Sequence, residues 1–86
     1  TLELGWEKSV PVIAVIIEED LRFGQRIRRY RIEAEVNNAW QTVAEGLTIG
    51  RLRIASFVSV TTRRVRLRVL ETDPLPKIRR FAAFGS

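Results

Sequence analysis

Apolar and charged residues alternate along most of this chain, and that period of two constrains the fold more than any other feature. The clearest case is segment 64–69, where Val65, Leu67 and Val69 alternate with arginines. Successive side chains of a β-strand point to opposite faces, so the pattern predicts strands with one buried face. The same period occurs in four other segments: 2–6, 30–36, 40–44 and 51–54, where Arg51 and Arg53 alternate with Leu52 and Ile54.

Turn residues and an apolar run indicate how the strands connect. Asn37-Asn38 separates two alternating segments, and because asparagine tolerates positive φ it predicts a β-hairpin. The continuous run Val12–Ile17 predicts a central strand or one covered on both faces. Segment 18–29 is the one helix candidate, but Gly24 and the apolar spacing favour a loop. Together these features predict an all-β chain of roughly six or seven short strands in an antiparallel β-sandwich or barrel.

The chain has 86 residues, which is the size of one small domain. Hydrophobic residues make up 45% and charged residues 29%, a globular composition. A chain of this size buries about 60–65% of the surface that its unfolded form exposes. We therefore expect it to be marginally stable alone or part of something larger. Its longest apolar stretch, Val12–Ile17, is too short to span a bilayer, so no membrane partner is expected.

The composition removes much catalytic chemistry, because the chain has no His, no Cys and no Met. A thiolate nucleophile, an imidazole base and the usual zinc ligands are absent. Segment 18–20 holds three consecutive carboxylates that could contribute to a calcium site, but a solvated strand end is the preferred interpretation. Glu33 and Glu35 have a spacing that suits a glycosidase pair, yet neighbouring arginines favour cross-strand ion pairs.

Arginine supplies thirteen of the fifteen basic residues, and the formal net charge is +5. Such a basic chain could be a nucleic-acid-binding β module with aromatic stacking platforms. However, Tyr30 and Phe57 fall at positions that share a face with core residues, so solvated or structural arginines are preferred. A self-assembling structural protein with an Arg–Glu ladder between subunits is the other alternative. Eleven of the thirteen arginines form two groups: Arg22, Arg26, Arg28, Arg29 and Arg31, and then Arg51, Arg53, Arg63, Arg64, Arg66 and Arg68.

The order of these motifs is more specific than any one of them. The strand into Glu18-Glu19-Asp20 is followed by Gly24-Gln25-Arg26, the hairpin "IEAEVNNAWQTVAEG", "TIGRLRI" and "VTTRRVRLRVLE". This series resembles the C-terminal discoidin-like (galactose-binding-like) β-sandwich of glycoside hydrolase family 29 α-L-fucosidases. The resemblance implies that residues 1–86 are a single module, an incomplete and N-terminally truncated jelly roll. The family's catalytic residues lie in a separate barrel domain, so none can be carried over to this chain.

The resemblance implies a non-catalytic accessory module that packs against a catalytic barrel, or self-associates through open strand edges. A fucosylated glycan is the ligand that such a module could bind, although a purely structural role is the preferred interpretation. The binding or domain-interface candidates are Arg22, Gln25, Arg26 and Arg51. Arg51-Leu52-Arg53 departs from the family's usual residues after Ile49-Gly50. No cofactor is expected, with calcium as the ion that the intact domain could hold. By resemblance the compartment is extracellular, periplasmic or lysosomal.

Overall fold

The fold is all-β, as the alternation predicts. The computed structural model describes residues 2–20, 27–47, 49, 52–72 and 78–85. Within these residues there is one antiparallel sheet of five strands in the order β3-β2-β4-β1-β5. The prediction of more numerous short strands is wrong for the described residues, because two strands are long. The strands are β1 (Leu2–Glu19), β2 (Ile27–Val36), β3 (Ala39–Gly46), β4 (Arg53–Thr72) and β5 (Ile78–Phe84).

The two long strands, β1 and β4, each pass through both of the parts into which the sheet is divided. Residues 65–72 of β4 pair with β2, and residues 64–67 pair with the start of β1. Residues 53–56 and 60–62 of β4 pair with the later part of β1, which also pairs with β5. We call these parts the hairpin half (β2, β3, 64–72 and 2–5) and the β5 half (β5, 53–62 and 10–19). Register shifts interrupt the β1–β4 ladder, and such irregularities let strands bend.

The two halves face each other across one hydrophobic core, which makes the sheet a two-layered sandwich. Arg53 Nε donates a hydrogen bond of 3.2 Å to the hydroxyl of Tyr30 and so links the halves at one end. Their inner faces hold the alternating apolar residues that the sequence indicates. The hairpin half contributes Ile27, Tyr30, Ile32, Ala34, Val65 and Leu67, and the β5 half contributes Val12, Val15, Ile17 and Ala55.

The predicted hairpin is confirmed. Asn37 and Asn38 have φ values of 52° and 64°, and Val36 pairs with Ala39 on either side of them. Two consecutive positive φ angles are the requirement of a type I′ turn, whose twist matches that of paired strands. The hairpin turn therefore forms one end of the sandwich, which we call the turn end.

The opposite end, which we call the connection end, holds the end of β1, the start of β2, the end of β3, both ends of β4 and the start of β5. Glu19 Oε2, at the end of β1, accepts a hydrogen bond of 3.1 Å from the backbone nitrogen of Ile27, where β2 begins. Ile27 also pairs with Thr72, and Glu19 pairs with Ile78. The interpretation of 18–20 as a solvated strand end is wrong for Glu19, which is 2% exposed. The alternation of β1 turns Glu19 inward with Ile17, and the bond from Ile27 offsets part of the desolvation cost.

Candidate functional faces

The residues that the sequence analysis proposes for ligand binding lie outside the described residues. These residues are Arg22, Gln25, Arg26 and Arg51. The strand termini that border their segments do lie within the described part, at the connection end. Glu19 and Ile27 are hydrogen-bonded there, and Gly46 pairs with Tyr30, to which Arg53 is bonded. The candidates therefore belong to two segments that start and finish at the same end of the sandwich.

The outer face of the hairpin half, which we call the charged face, is built around Glu33. Arg66 Nε donates to Glu33 Oε1 at 2.7 Å, while Arg31 and Arg68 each lie 4.0 Å from Oε2. The Glu33 side chain is 6% exposed, so this carboxylate is buried under the arginines that neutralise it. The prediction that Glu33 and Glu35 form cross-strand ion pairs is confirmed, because Glu35 also pairs with Arg64 at 3.1 Å.

Trp40 extends this network over the neighbouring strand. The guanidinium of Arg66 lies 4.0 Å and that of Arg64 5.1 Å from the centre of the indole ring, which are cation–π distances. Arg64 also pairs with Glu3 at 3.0 Å. Arginines and carboxylates from β1, β2 and β4 therefore satisfy one another around a single aromatic ring. The charged groups around Trp40 are therefore paired within the chain.

The outer face of the β5 half has an apolar centre, which is bordered by Ser56 and by the paired positions Glu18 and Arg80. Ile16 on β1 lies between Ile54 on β4 and Ala82 on β5, and the next row holds Ala14 and Phe84. Directly paired residues share a face of the sheet, so these five side chains form a continuous surface. We call these five residues the apolar face. Ile54 is 58% exposed and Phe84 42% exposed, so the surface contacts water in this chain.

Arg53 and Ile54 point to opposite faces of the sheet, as their alternation predicts, but the apolar residue Ile54 is the one that faces outward. Arg53 is paired with the buried Ile17, and its side chain reaches the Tyr30 hydroxyl. Ile54 is consequently turned away from the core. Contiguous exposed apolar side chains are a common feature of protein contact surfaces.

A cleft of about 490 Å³ opens where the charged face meets the connection end. This volume falls within the usual range of small-molecule sites. The Arg31–Glu45 ion pair, with its atoms 2.9 Å apart, lies on one side of it. Its polar and apolar walls come from three strands and one connection: Arg29, Arg31, Glu45, Gly46, Leu47 and Leu70. No motif in the sequence marks this cleft, because its lining residues do not recur at a regular spacing along the chain.

Among the described residues there is no group of three or more acidic side chains that could hold a metal ion. Glu18 and Glu19 are consecutive in β1 and therefore project to opposite faces, which does not suit a shared calcium ligand set. The described segments also contain no helix that is long and apolar enough to cross a membrane.

Comparison with known proteins relates the chain to glycoside hydrolases. No family model matches it. A protein of Oryza sativa subsp. japonica that is assigned as an α-L-fucosidase is 36% identical over 75 residues, which are 85% of this chain and 14% of the rice protein. A crystal structure from Bacteroides thetaiotaomicron VPI-5482 with the same assignment is 42% identical, with a TM-score of 0.94. The match covers 99% of this chain and 19% of the Bacteroides chain.

Two further crystal structures are similar to this chain. A glycoside hydrolase 29 family member from an unknown rumen bacterium is 31% identical with a TM-score of 0.88, and the match covers 96% of this chain and 16% of that one. Chitosan-binding module 1 of a chitosanase/glucanase from Paenibacillus sp. IK-5 shares the fold, with a TM-score of 0.81 at 18% identity. That match covers 96% of this chain and 65% of the module. The chain thus spans less than a fifth of the length of its fucosidase relatives.

Proposed function

Since the chain is homologous to a segment of family 29 α-L-fucosidases, we propose that it is a non-catalytic accessory domain of such an enzyme. In this proposal the apolar face packs against the remainder of the enzyme, which includes the catalytic barrel. The observation that carries the proposal is the contrast between that face and the charged face on the other half. On one outer surface the carboxylates Glu33 and Glu35 are paired with arginines of the same chain, and the other surface leaves Ile54 and Phe84 in water.

Burying apolar surface provides the free energy for such packing, at about 25 cal/mol per Å². A partner of sufficient size exists in the relatives, because the matched segment is 19% of the Bacteroides chain. The chemistry of the described residues also favours an accessory role. Glu33 and Glu35 are held by arginines, and the chain has no histidine or cysteine. Hydrolysis of a terminal α-L-fucose would therefore belong to the part of the enzyme outside this chain.

A hybrid enzyme tests the proposal. The 86-residue chain replaces the matching segment of the Bacteroides relative, and Ile54→Asp is then introduced. We expect the unsubstituted hybrid to hydrolyse an aryl α-L-fucoside, and the isolated chain to show no activity on the same substrate. We expect Ile54→Asp to lower the unfolding temperature of the hybrid by several degrees, because the carboxylate would be buried without a partner.

The matched control is Gln41→Asp, which changes an exposed residue of β3 outside the apolar face. It should leave the unfolding temperature of the hybrid nearly unchanged. Equal effects of the two substitutions would contradict the docking role of the apolar face. Fucosidase activity in the isolated chain would contradict the non-catalytic assignment.

Carbohydrate binding is a second candidate function, favoured by the fold shared with the chitosan-binding module. Arg22, Gln25 and Arg26, with Arg51, remain the proposed contacts. A glycan array with fucosylated oligosaccharides and matched non-fucosylated controls tests this. Selective binding that is lost in Arg26→Ala would support it. Absence of binding by folded protein would leave the accessory role alone.

A further inference from the structure

We infer that the 490 Å³ cleft at the connection end binds a deoxyhexose residue of the fucose type within a glycan. The inference rests on the proposed function, because the choice of a deoxy sugar comes from the fucosidase relatives. The site itself is derived from the walls of the cleft. It is separate from the apolar face, which lies on the other half of the sandwich.

The polar wall suits adjacent sugar hydroxyls. The Arg31–Glu45 pair brings together a guanidinium, which can only donate, and a carboxylate, which can only accept. A hydroxyl does both, so neighbouring hydroxyls of one sugar ring can bond to each member of the pair. The two side chains are 30% and 57% exposed, which leaves part of each accessible from the cleft.

Arg29 adds a second guanidinium group to the polar wall of the cleft. Its side chain is exposed, and within the described segments it makes no hydrogen bond or ion pair. It can therefore donate to a ligand oxygen without breaking an existing contact. Arg31, in contrast, is held between Glu33 and Glu45 and is already oriented. One oriented and one available guanidinium provide donors on one side of a sugar.

The apolar wall favours a deoxy sugar over one with a hydroxymethyl group. Leu47 is 72% exposed and lines the cleft together with Leu70. A methyl substituent gains from leaving water against such side chains, whereas a hydroxymethyl group would lose hydrogen bonds there. Ligand sites usually combine apolar walls with a few placed polar groups, and this cleft has that combination.

The turn end offers a rival cavity of different chemistry. It measures about 260 Å³ and is lined mostly by polar side chains, including Asn37, Asn38, Thr61 and Arg63. It lacks an exposed leucine wall, so nothing in it would select a methyl group. Binding at this second cavity is therefore the alternative outcome that the experiment must separate.

The test is an NMR titration of the ¹⁵N-labelled 86-residue chain with a fucosylated oligosaccharide and with the same oligosaccharide lacking fucose. We expect the amide signals of Arg29, Glu45 and Leu47 to move with the fucosylated ligand and to remain still with the other. Signals of Asn38 and Arg63 should not move. Shifts confined to the turn end, equal shifts with both ligands, or no shifts at millimolar ligand would overturn the inference.

Substitutions then localise the site. Glu45→Gln keeps the shape of the side chain but removes its charge, and Leu47→Ser removes the apolar contact. We expect each to weaken binding by about tenfold, the loss of one charged hydrogen bond or one methyl contact. Arg79→Ala on β5 is the control and should bind as the original chain does. Unchanged affinity in both cleft variants would overturn the inference.

The titration uses the isolated chain, whereas the docking proposal is tested in the hybrid enzyme. A hybrid that responds to Ile54→Asp together with a chain that does not bind fucosylated ligand would refute the cleft alone. A chain that binds through the cleft together with a hybrid that is indifferent to Ile54→Asp would refute docking alone.

Discussion

The two halves of this sandwich share one core but present opposite outer faces. On the hairpin half, Glu33 is buried beneath arginines, and Trp40 lies against the guanidinium groups of Arg64 and Arg66. On the β5 half, Ile54 and Phe84 are exposed to water, and the charged positions Glu18 and Arg80 lie at the border of the apolar face. Both faces are made by the same alternation along β1 and β4. The difference therefore lies in which residue types the two strands place on each outer face.

The comparison shows which outer face pairs most of its charged groups within the chain and which exposes apolar side chains. Charges on the hairpin half pair with residues of the same chain, so docking there would require those pairs to be covered or broken at a cost. Docking on the β5 half would remove apolar surface from water and is favourable. The contrast therefore supports the proposed accessory function, in which the apolar face on the β5 half is the docking surface.

The largest expected effect concerns the buried charge of the hairpin half. Replacing Glu33 by Gln leaves Arg66 partly buried without its counter-charge, and we expect a loss of about 3 kcal/mol in the free energy of unfolding. Urea denaturation of the isolated chain measures it. Glu3→Gln is the control, because that side chain is 45% exposed and its pair with Arg64 should contribute less than about 1 kcal/mol. Equal losses would show that the charged face is not organised around Glu33.

An intermediate effect is expected at the aromatic ring. Trp40→Leu removes the cation–π contacts of Arg64 and Arg66, and we expect a loss of about 1–2 kcal/mol in the same denaturation experiment. Thr42→Ala, two residues further along β3, should change stability by less than about 0.5 kcal/mol. A tryptophan variant as stable as the threonine variant would mean that the arginines are held by their carboxylates alone.

The smallest effect on stability is expected on the apolar face. Ile54→Asp in the isolated chain should cost less than about 1 kcal/mol, because the side chain is mostly exposed. It should also reduce any concentration-dependent self-association seen by sedimentation velocity, since the apolar face is then interrupted by a charge. Gln41→Asp serves as the control and should leave association unchanged. A large loss of stability would show that Ile54 supports the core, which would remove the contrast between the faces.

Local patterns predicted much of the fold correctly. The Asn37-Asn38 turn follows from residues that tolerate positive φ, and the structure places both there. The ion pairs of Glu33 and Glu35 follow from acidic residues that lie on the same strand face as arginines. Tyr30 is 1% exposed, as its alternation with Ile32 predicts. Each of these features depends on neighbours along the strand or directly across from it.

The cleft at the connection end could not be predicted from such local patterns. Arg29, Glu45 and Leu70 come from three strands and meet only because β2 lies between β3 and β4. The prediction of many short strands was wrong for a related reason. Residues 53–72 form one continuous strand although its alternation is interrupted at 58–59 and 63–64, and the β1–β4 pairing is irregular in the same regions.

By itself, the sequence determined that the chain is built of strands with two unlike faces, that one hairpin closes at Asn37-Asn38, and that imidazole and thiolate chemistry are absent. The tertiary structure decided which face is buried. A period of two shows that neighbouring side chains point to opposite faces of a strand. It does not show which of the two faces packs against the other half of the sandwich and is buried. Pairing with Ile17 turns Arg53 toward Tyr30 and leaves Ile54 outside, and the same inward turn of β1 buries Glu19. These assignments depend on the bending of two long strands, which brings together residues that lie far apart in the chain.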